Sequence, residues 1–282
     1  MSIEIHPLSE ALGAEVRGLD LERPIAPADV AALREAFLDS HFLCLRSDPI
    51  DAASFARLAH HFGEPQLQLL REFRHDAVPE VSFLRSTYET AADKPDDLAQ
   101  VRLSGWHTDD SYFETPAKIT MLQALAIPDS GGETRFCNTR KAYADMPDET
   151  KQRLDGLKAV HGYDTKRAPA RAHARTGDEE NETPEVTHPL VRTHEDSGRE
   201  AIYFNSNRTD RVVGMARADS DALLDAIHEH ITQPRYRYDH AWQLGDVLIW
   251  DNRCLIHSVN TDYPVGQKRL HQRILLKGTR PV

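Results

Sequence analysis

From Trp106 to the C terminus the chain is a succession of short β-prone runs separated by turn signals, and this pattern constrains the fold more than any other. The runs are Lys118–Ile127, Thr134–Cys137, Leu157–Tyr163, His188–His194, Ala201–Asn205, Arg235–Tyr238, Asp246–Asp251, Leu255–Val259 and Arg269–Lys277. Pro128-Asp-Ser-Gly-Gly132, Asp196-Ser-Gly198 and Gly245-Asp246 punctuate them. Many short strands suggest a β sandwich or a jelly roll. Helices flank it. Val30, Leu33, Ala36 and Phe37 recur at helical spacing across Pro27–Ser40, and Ala52–Phe62 forms a second helix stopped by Gly63. Thr139–Leu154 and Ser220–Ile231 read as further helices. Ile3–Pro7, His41–Arg46 and Glu80–Leu84 read as strands, and Thr90–Asp97 as a loop.

No repeat or long linker divides the chain, so residues 1–282 read as one domain. Lys166–Glu185 stands out because it begins basic, ends acidic and has few apolar anchors. It reads as a lid insertion over 164–187, mobile until substrate orders it.

Composition excludes several partners. The chain has 34 basic and 45 acidic side chains, a net charge of −11, which disfavours nucleic acid and anionic membranes. No apolar run approaches the ~20 residues of a membrane span, and the first residues lack the pattern of a signal peptide. Cys44, Cys137 and Cys254 form no CxxC, so neither a disulfide framework nor a cysteine-based zinc site is indicated. A cytoplasmic protein acting on a small molecule is the simplest reading; homo-oligomerisation is left open.

The chemistry begins with histidine. With 15 histidines and 45 acidic residues, chance alone supplies about two His-x-Asp/Glu patterns, and two occur. His194-Glu-Asp196 runs into a turn and reads as solvated. His107-Thr-Asp109 follows Trp106 and leads into a strand-rich stretch. On a strand, residues i and i+2 share a face, so the imidazole and carboxylate can converge on one ion. His257, ending the run Val247–His257, is the best third ligand. Two imidazoles and one carboxylate make a facial triad, which suits non-haem Fe(II) and O₂. The competing reading makes both histidines hydrogen-bonded core residues. Arg273 lies on the alternating strand that follows, and an inward arginine beside a metal needs an anionic partner. A dicarboxylate cosubstrate supplies one, and Thr134, after the Gly131-Gly132-Glu133 turn, can donate a hydroxyl to the same group. A non-oxygenase metal-binding jelly roll and a zinc hydrolase on the same three ligands remain as alternatives; neither needs that arginine.

Five stretches then point to a family, in order and spacing. They are Trp106-His-Thr-Asp109, Ser130–Cys137, Leu154–His161, His188–His194 with Ser197-Gly-Arg199, and Trp250–His257 followed by Arg269 to Arg273. Leu12–Asp20 matches as well. The chain resembles the taurine dioxygenase/TfdA family of Fe(II)- and 2-oxoglutarate-dependent dioxygenases over nearly its whole length, and is nearer the TfdA branch. The resemblance implies a double-stranded β-helix (jelly-roll, cupin-like) core with outer helices. It implies that His107, Asp109 and His257 bind Fe(II), that Arg273 salt-bridges the distal carboxylate of 2-oxoglutarate with help from Thr134, and that Arg269 helps hold an anion. The implied reaction consumes O₂, converts 2-oxoglutarate to succinate and CO₂, and hydroxylates a small organic substrate. The carboxylate of Asp109 leaves no extra position for chloride, which disfavours halogenation.

Taurine does not fit, because Gln68, Arg71 and Leu103 stand where the family's taurine-gripping residues align. The substrate-facing candidates are Arg71, Arg102, Ser111, Tyr112, Tyr163, Arg167 and Arg171, and their charges suit an organic acid.

Overall fold

The computed structural model describes residues 3–98, 105–168 and 175–282. In chain order the elements are β1 (Glu4–Pro7), β2 (Ala14–Arg17), α1 (Pro27–Ser40), β3 (Phe42–Leu45), α2 (Ala52–His60), β4 (Pro65–Gln66), β5 (Ser82–Arg85), β6 (Ile119–Ala126), β7 (Thr134–Asn138), α3 (Thr139–Ala144) and α4 (Asp148–Leu154). There follow β8 (Lys158–His161), α5 (Gly177–Asn181), β9 (Val186–Pro189), β10 (Val191–Thr193), β11 (Glu200–Ile202), β12 (Thr209–Val212), α6 (Arg217–Ile231), β13 (Arg237–His240), β14 (Val247–Asp251), β15 (Leu255–Val259) and β16 (Leu270–Leu276).

An eight-stranded sheet runs β1-β2-β3-β14-β6-β16-β4, with β5 also pairing β16. Only β2 and β3 are parallel within it. Its strands alternate between two apolar layers. Val247 and Ile249 of β14 and Ile274 and Leu276 of β16 join Leu33 and Phe37 of α1 and Phe55 and Leu58 of α2. Leu248 and Trp250 face the other way, onto Phe136 and Leu255 of a smaller sheet ordered β13-β7-β15. Phe42, Phe136 and Trp250 interlock edge to face between the sheets, with centroids 4.7 and 5.4 Å apart. A third apolar layer lies under α3 and α6. The large sheet is mixed, the smaller ones are antiparallel, and helices lie outside them.

Local chemistry explains the boundaries. α1 starts at Pro27, whose missing N–H is no loss there, and ends at His41 in a left-handed conformation. Asp51 caps α2 by accepting the N–H of Ser54 at 2.6 Å. Two expectations need correction. Thr139–Leu154 is two helices, because Pro147 cannot continue a helix and pushes Met146 out of helical geometry. His188–His194 is two strands in different sheets: β9 pairs β8, and after Pro189 the chain turns so that β10 pairs β11. Within 164–187, the described part carries α5, closed by a capping box between Thr176 and Glu179.

Candidate active site

His107 and His257 form an isolated antiparallel bridge, with reciprocal backbone hydrogen bonds of 2.9 and 2.7 Å and ring centroids 4.1 Å apart. The chain then turns through Asp109 into Asp110, whose φ of 57° is left-handed. Asp109 is thus brought to His257 by a bridge and a turn, not by strand alternation as the sequence suggests. One donor atom from each of His107, Asp109 and His257 lies within 4.8 Å of the others. His257 Nε2 stands 3.9 Å from Asp109 Oδ2.

The electrostatics suit a divalent ion. Burial, with His107 and Arg273 nearby, pulls His257 down to about 3, so its imidazole is neutral. Burial alone would raise Asp109; His257, Arg273, His107 and a 2.6 Å hydrogen bond from Thr120 outweigh it and hold the carboxyl below its usual range. The neighbouring Asp110 goes the other way: burial and the Asp109 charge push it up to about 6. Its oxygens accept from Gln66 Nε2 at 2.6 Å and Tyr112 Oη at 2.8 Å. His107 Nδ1 sits 2.8 Å from the carbonyl of Gly105, which fixes that nitrogen as the N–H and leaves Nε2 as the ligating atom. Two imidazoles, one carboxylate and a half-enclosed setting are a donor set that fits Fe(II).

Two other clusters of ligating side chains are present among the described residues. In the cluster of His41, His194, Asp251 and Cys254, Arg253 already occupies Asp251, at 2.8 Å on Oδ1 and 2.7 Å on Oδ2. In the cluster of Cys44, His240 and Asp246, Tyr238 and Asp246 take the two imidazole nitrogens and Arg46 neutralises the acid. His194 therefore corrects the solvated reading: it is fully buried and bonded to Asp251 at 2.9 Å.

His271 and Arg273 share one face of β16, with Arg269 just before the strand on the same alternation, whereas Ile274 faces the helices. The two arginines have different surroundings. Arg269 is sealed in; its Nε donates to the carbonyl of Gly132 at 3.1 Å and its Nη2 to Thr134 Oγ1 at 3.2 Å. Gly131 and Gly132 both take positive φ, and a Cβ on Gly131 would come within 2.1 Å of Asp262, so only glycine makes the turn that presents this carbonyl. Trp242 Nε1 donates to the same Thr134 hydroxyl at 3.0 Å. No carboxylate among the described residues pairs with Arg269, and burial pulls its guanidinium down to about 10. Arg273 sits beside the triad and acts on both Asp109 and His257, yet its buried Nε has no hydrogen-bond partner among the described residues. Thr134 thus pairs with Arg269, correcting the expectation that it assists Arg273.

The expected substrate residues fare unevenly. Arg102 and Arg171 lie outside the described residues. Arg71 is engaged with Glu182 at 2.6 Å and Glu179 at 3.7 Å, tying its loop to α5. Arg167 is engaged with Asp221 at 2.7 Å and Asp225 at 2.5 Å on α6. Both were read as substrate cations; neighbouring acids already neutralise them. Ser111 is fully buried beside Asn205. Tyr112 and Tyr163 meet edge to face at 5.0 Å, next to Asp110. Arg208, overlooked in the sequence, stacks on both rings at 4.7 and 4.6 Å. Thr120 was also overlooked; its signal is a lone hydroxyl within the apolar run Ile119–Leu122.

No helix among the described residues is long and apolar enough to cross a membrane. The family model for the taurine catabolism dioxygenase TauD/TfdA family matches residues 4–275. The 2,4-dichlorophenoxyacetate dioxygenase of Burkholderia sp. (strain RASC), α-ketoglutarate-dependent, is 30% identical over 99% of this chain and 96% of its own. The α-ketoglutarate-dependent sulfate ester dioxygenase of Pseudomonas putida is 30% identical over 100% of this chain and 92% of its own. A taurine dioxygenase structure from Burkholderia xenovorans superposes with a TM-score of 0.85 at 29% identity, covering 100% of this chain and 91% of that one. AAD-2, solved with Mn(II) and N-oxalylglycine, gives 0.82 at 28% identity, covering 100% and 99%. The chain belongs to the TauD/TfdA family of α-ketoglutarate-dependent dioxygenases.

Proposed function

We propose that this protein couples the oxidative decarboxylation of 2-oxoglutarate to the hydroxylation of a small organic acid, on a jelly-roll core formed by the two facing sheets. His107, Asp109 and His257 are the Fe(II) ligands in this reading. Bound there with 2-oxoglutarate and O₂, the iron supplies the oxidising chemistry. The chain's own residues supply charge and position.

The carrying observation is Arg269, a buried guanidinium that has no acid partner among the described residues and bonds only to neutral groups, with Arg273 beside the triad. A buried guanidinium without an acid is costly, so Arg269 awaits an anion. Arg269, held with Thr134 away from the triad, grips the distal carboxylate of 2-oxoglutarate; the guanidinium fork and the hydroxyl match its two oxygens. Arg273, beside the triad, holds the substrate's anionic group and so aims the neighbouring C–H at the metal. Trp250 and Phe136 wall the site against water from the His257 side. The relatives are named for 2,4-dichlorophenoxyacetate and sulfate esters, both anionic, which supports an anionic substrate. In this reading segment 164–187 serves as a lid, and Arg71 holds its helix α5 through Glu179 and Glu182. A zinc hydrolase or a metal-storage protein has no use for a sealed arginine that awaits an anion.

Anaerobic addition of Fe(II) and 2-oxoglutarate should give a weak visible charge-transfer band. A panel of carboxylates, sulfonates and sulfate esters, scored for succinate release matched to substrate loss, then identifies the acid. No band and no succinate with any member would reject the reading.

A further inference from the structure

The end of β14 carries a hydrogen-bond chain whose direction is fixed by its chemistry. Trp250 and Asn252 face the metal site, whereas Asp251 between them faces Arg253 and His194. Trp250 Nε1 donates to Asn252 Oδ1 at 3.0 Å, and the backbone N–H of Asp109 approaches the same oxygen at 3.4 Å. Both groups can only donate, so the amide cannot be the other way round. Asn252 Nδ2 then donates to Thr120 Oγ1 at 2.8 Å. The threonine has one proton to give, and it goes to Asp109 Oδ2 at 2.6 Å. Thr120, Asn252 and Trp250 are at most 1% exposed, so water does not compete for these groups. Trp250 also leans on the His257 ring, with centroids 4.8 Å apart, so one indole touches one ligand and reaches another through two side chains.

We infer that Thr120, aimed by Asn252 and Trp250, is a positioning residue that locks the rotation of Asp109 and confines it to one oxygen on the metal. A carboxylate free to rotate can close on an ion with both oxygens. That would occupy a position the triad must leave for the 2-oxo acid or O₂. A hydroxyl fixed on Oδ2 takes one lone pair and fixes the carboxylate plane. Hydrogen-bond partners behind a ligand set its orientation and basicity, and removing one typically costs 10–100-fold in metal affinity or activity. The role rests on the iron site proposed above.

The test replaces Thr120 by the isosteric Val and by Ser. Mn(II) affinity of the metal-free protein is read from the signal of free Mn(II), and the energy of the visible band from the anaerobic Fe(II)–2-oxoglutarate complex. Thr120→Val should bind Mn(II) roughly 10–100-fold more weakly and shift the band; Thr120→Ser should restore most of both. A purely structural role would lower thermal stability without moving the band. Trp250→Phe keeps the ring against His257 but removes the first donor, and should move both readouts the same way by less. Wild-type affinity and an unmoved band in Thr120→Val overturn the assignment. Should that variant fail to fold, the same result in Trp250→Phe does so. Asp109→Ala separates the two ideas: if it keeps Mn(II), the metal site is misplaced, and if it alone loses Mn(II), only the role of Thr120 falls.

Discussion

Acid should unfold this protein early, and the reason is a set of sealed imidazoles. His41, His161, His188 and His271 lie outside the proposed metal site and are at most 1% exposed. Burial pulls His41 and His188 down to about 4, and His161 and His271 well below the usual value. Neither ring nitrogen of His41, His161 or His271 has a hydrogen-bond partner among the described residues. In the unfolded chain each titrates near 6.5. Between those values the unfolded state binds protons that the folded state refuses. Their stabilisation is therefore full above about pH 6.5 and is lost progressively as pH falls toward the folded values. At about pH 5.5 each imidazole costs about 1.4 kcal/mol, so the four together cost about 5 kcal/mol. Asp110 opposes this: its folded value of about 6 lies above the unfolded one, so the folded state gains a proton in the same window. It returns about 1 kcal/mol, leaving a net loss of about 4 kcal/mol, a large part of a typical domain's stability. Urea unfolding of the metal-free protein at about pH 7.5 and 5.5, followed by circular dichroism, measures the difference, to which His257, free of metal and held at about 3, adds about 1.4 kcal/mol. His161→Phe, which keeps a ring against His188 and Tyr203, should remove about 1.4 kcal/mol of it. Equal stability at both pH values, or greater stability at the lower one, would show that these imidazoles accept protons inside the fold and would refute the reasoning.

His107→Ala, Asp109→Ala and His257→Ala should each abolish succinate release while thermal unfolding stays cooperative; activity in any of them removes that residue from the ligand set. Arg269→Ala should raise the 2-oxoglutarate requirement well over tenfold, because breaking a buried charge-assisted pair costs roughly 2–5 kcal/mol, whereas Arg273→Ala should act mainly on the KM of the organic acid. The reverse pattern would exchange their roles. His194→Ala should destabilise rather than inactivate, by about 1–3 kcal/mol in a chemical melt, since Asp251 loses one buried donor but keeps Arg253.

Most element types, the candidate ligands and the family were legible in the sequence. Strand alternation, helical periodicity and turn residues are local physics, so α1 over Pro27–Ser40 and β15 over Leu255–Val259 were legible to the residue. The breaks at Pro147 and Pro189 were legible too, had the proline rule been weighed above apolar continuity. His107, Asp109, His257 and Arg273 stand out because few residue types can hold a metal or a carboxylate, whereas Arg269 is legible only through the family resemblance. Only the tertiary structure decided which of these meet. Thr134 and Arg269 are 135 positions apart, and Thr120 and Asn252 are 132 apart. Sheet pairings bring them together, as in the register of β6 on β14 and on β16. It also buried His194, which a turn motif had placed in water, and committed Arg167 to α6. Charge and residue type are written in the chain, but a partner is chosen by strand register, and register follows from the packing of whole sheets, which no local pattern encodes.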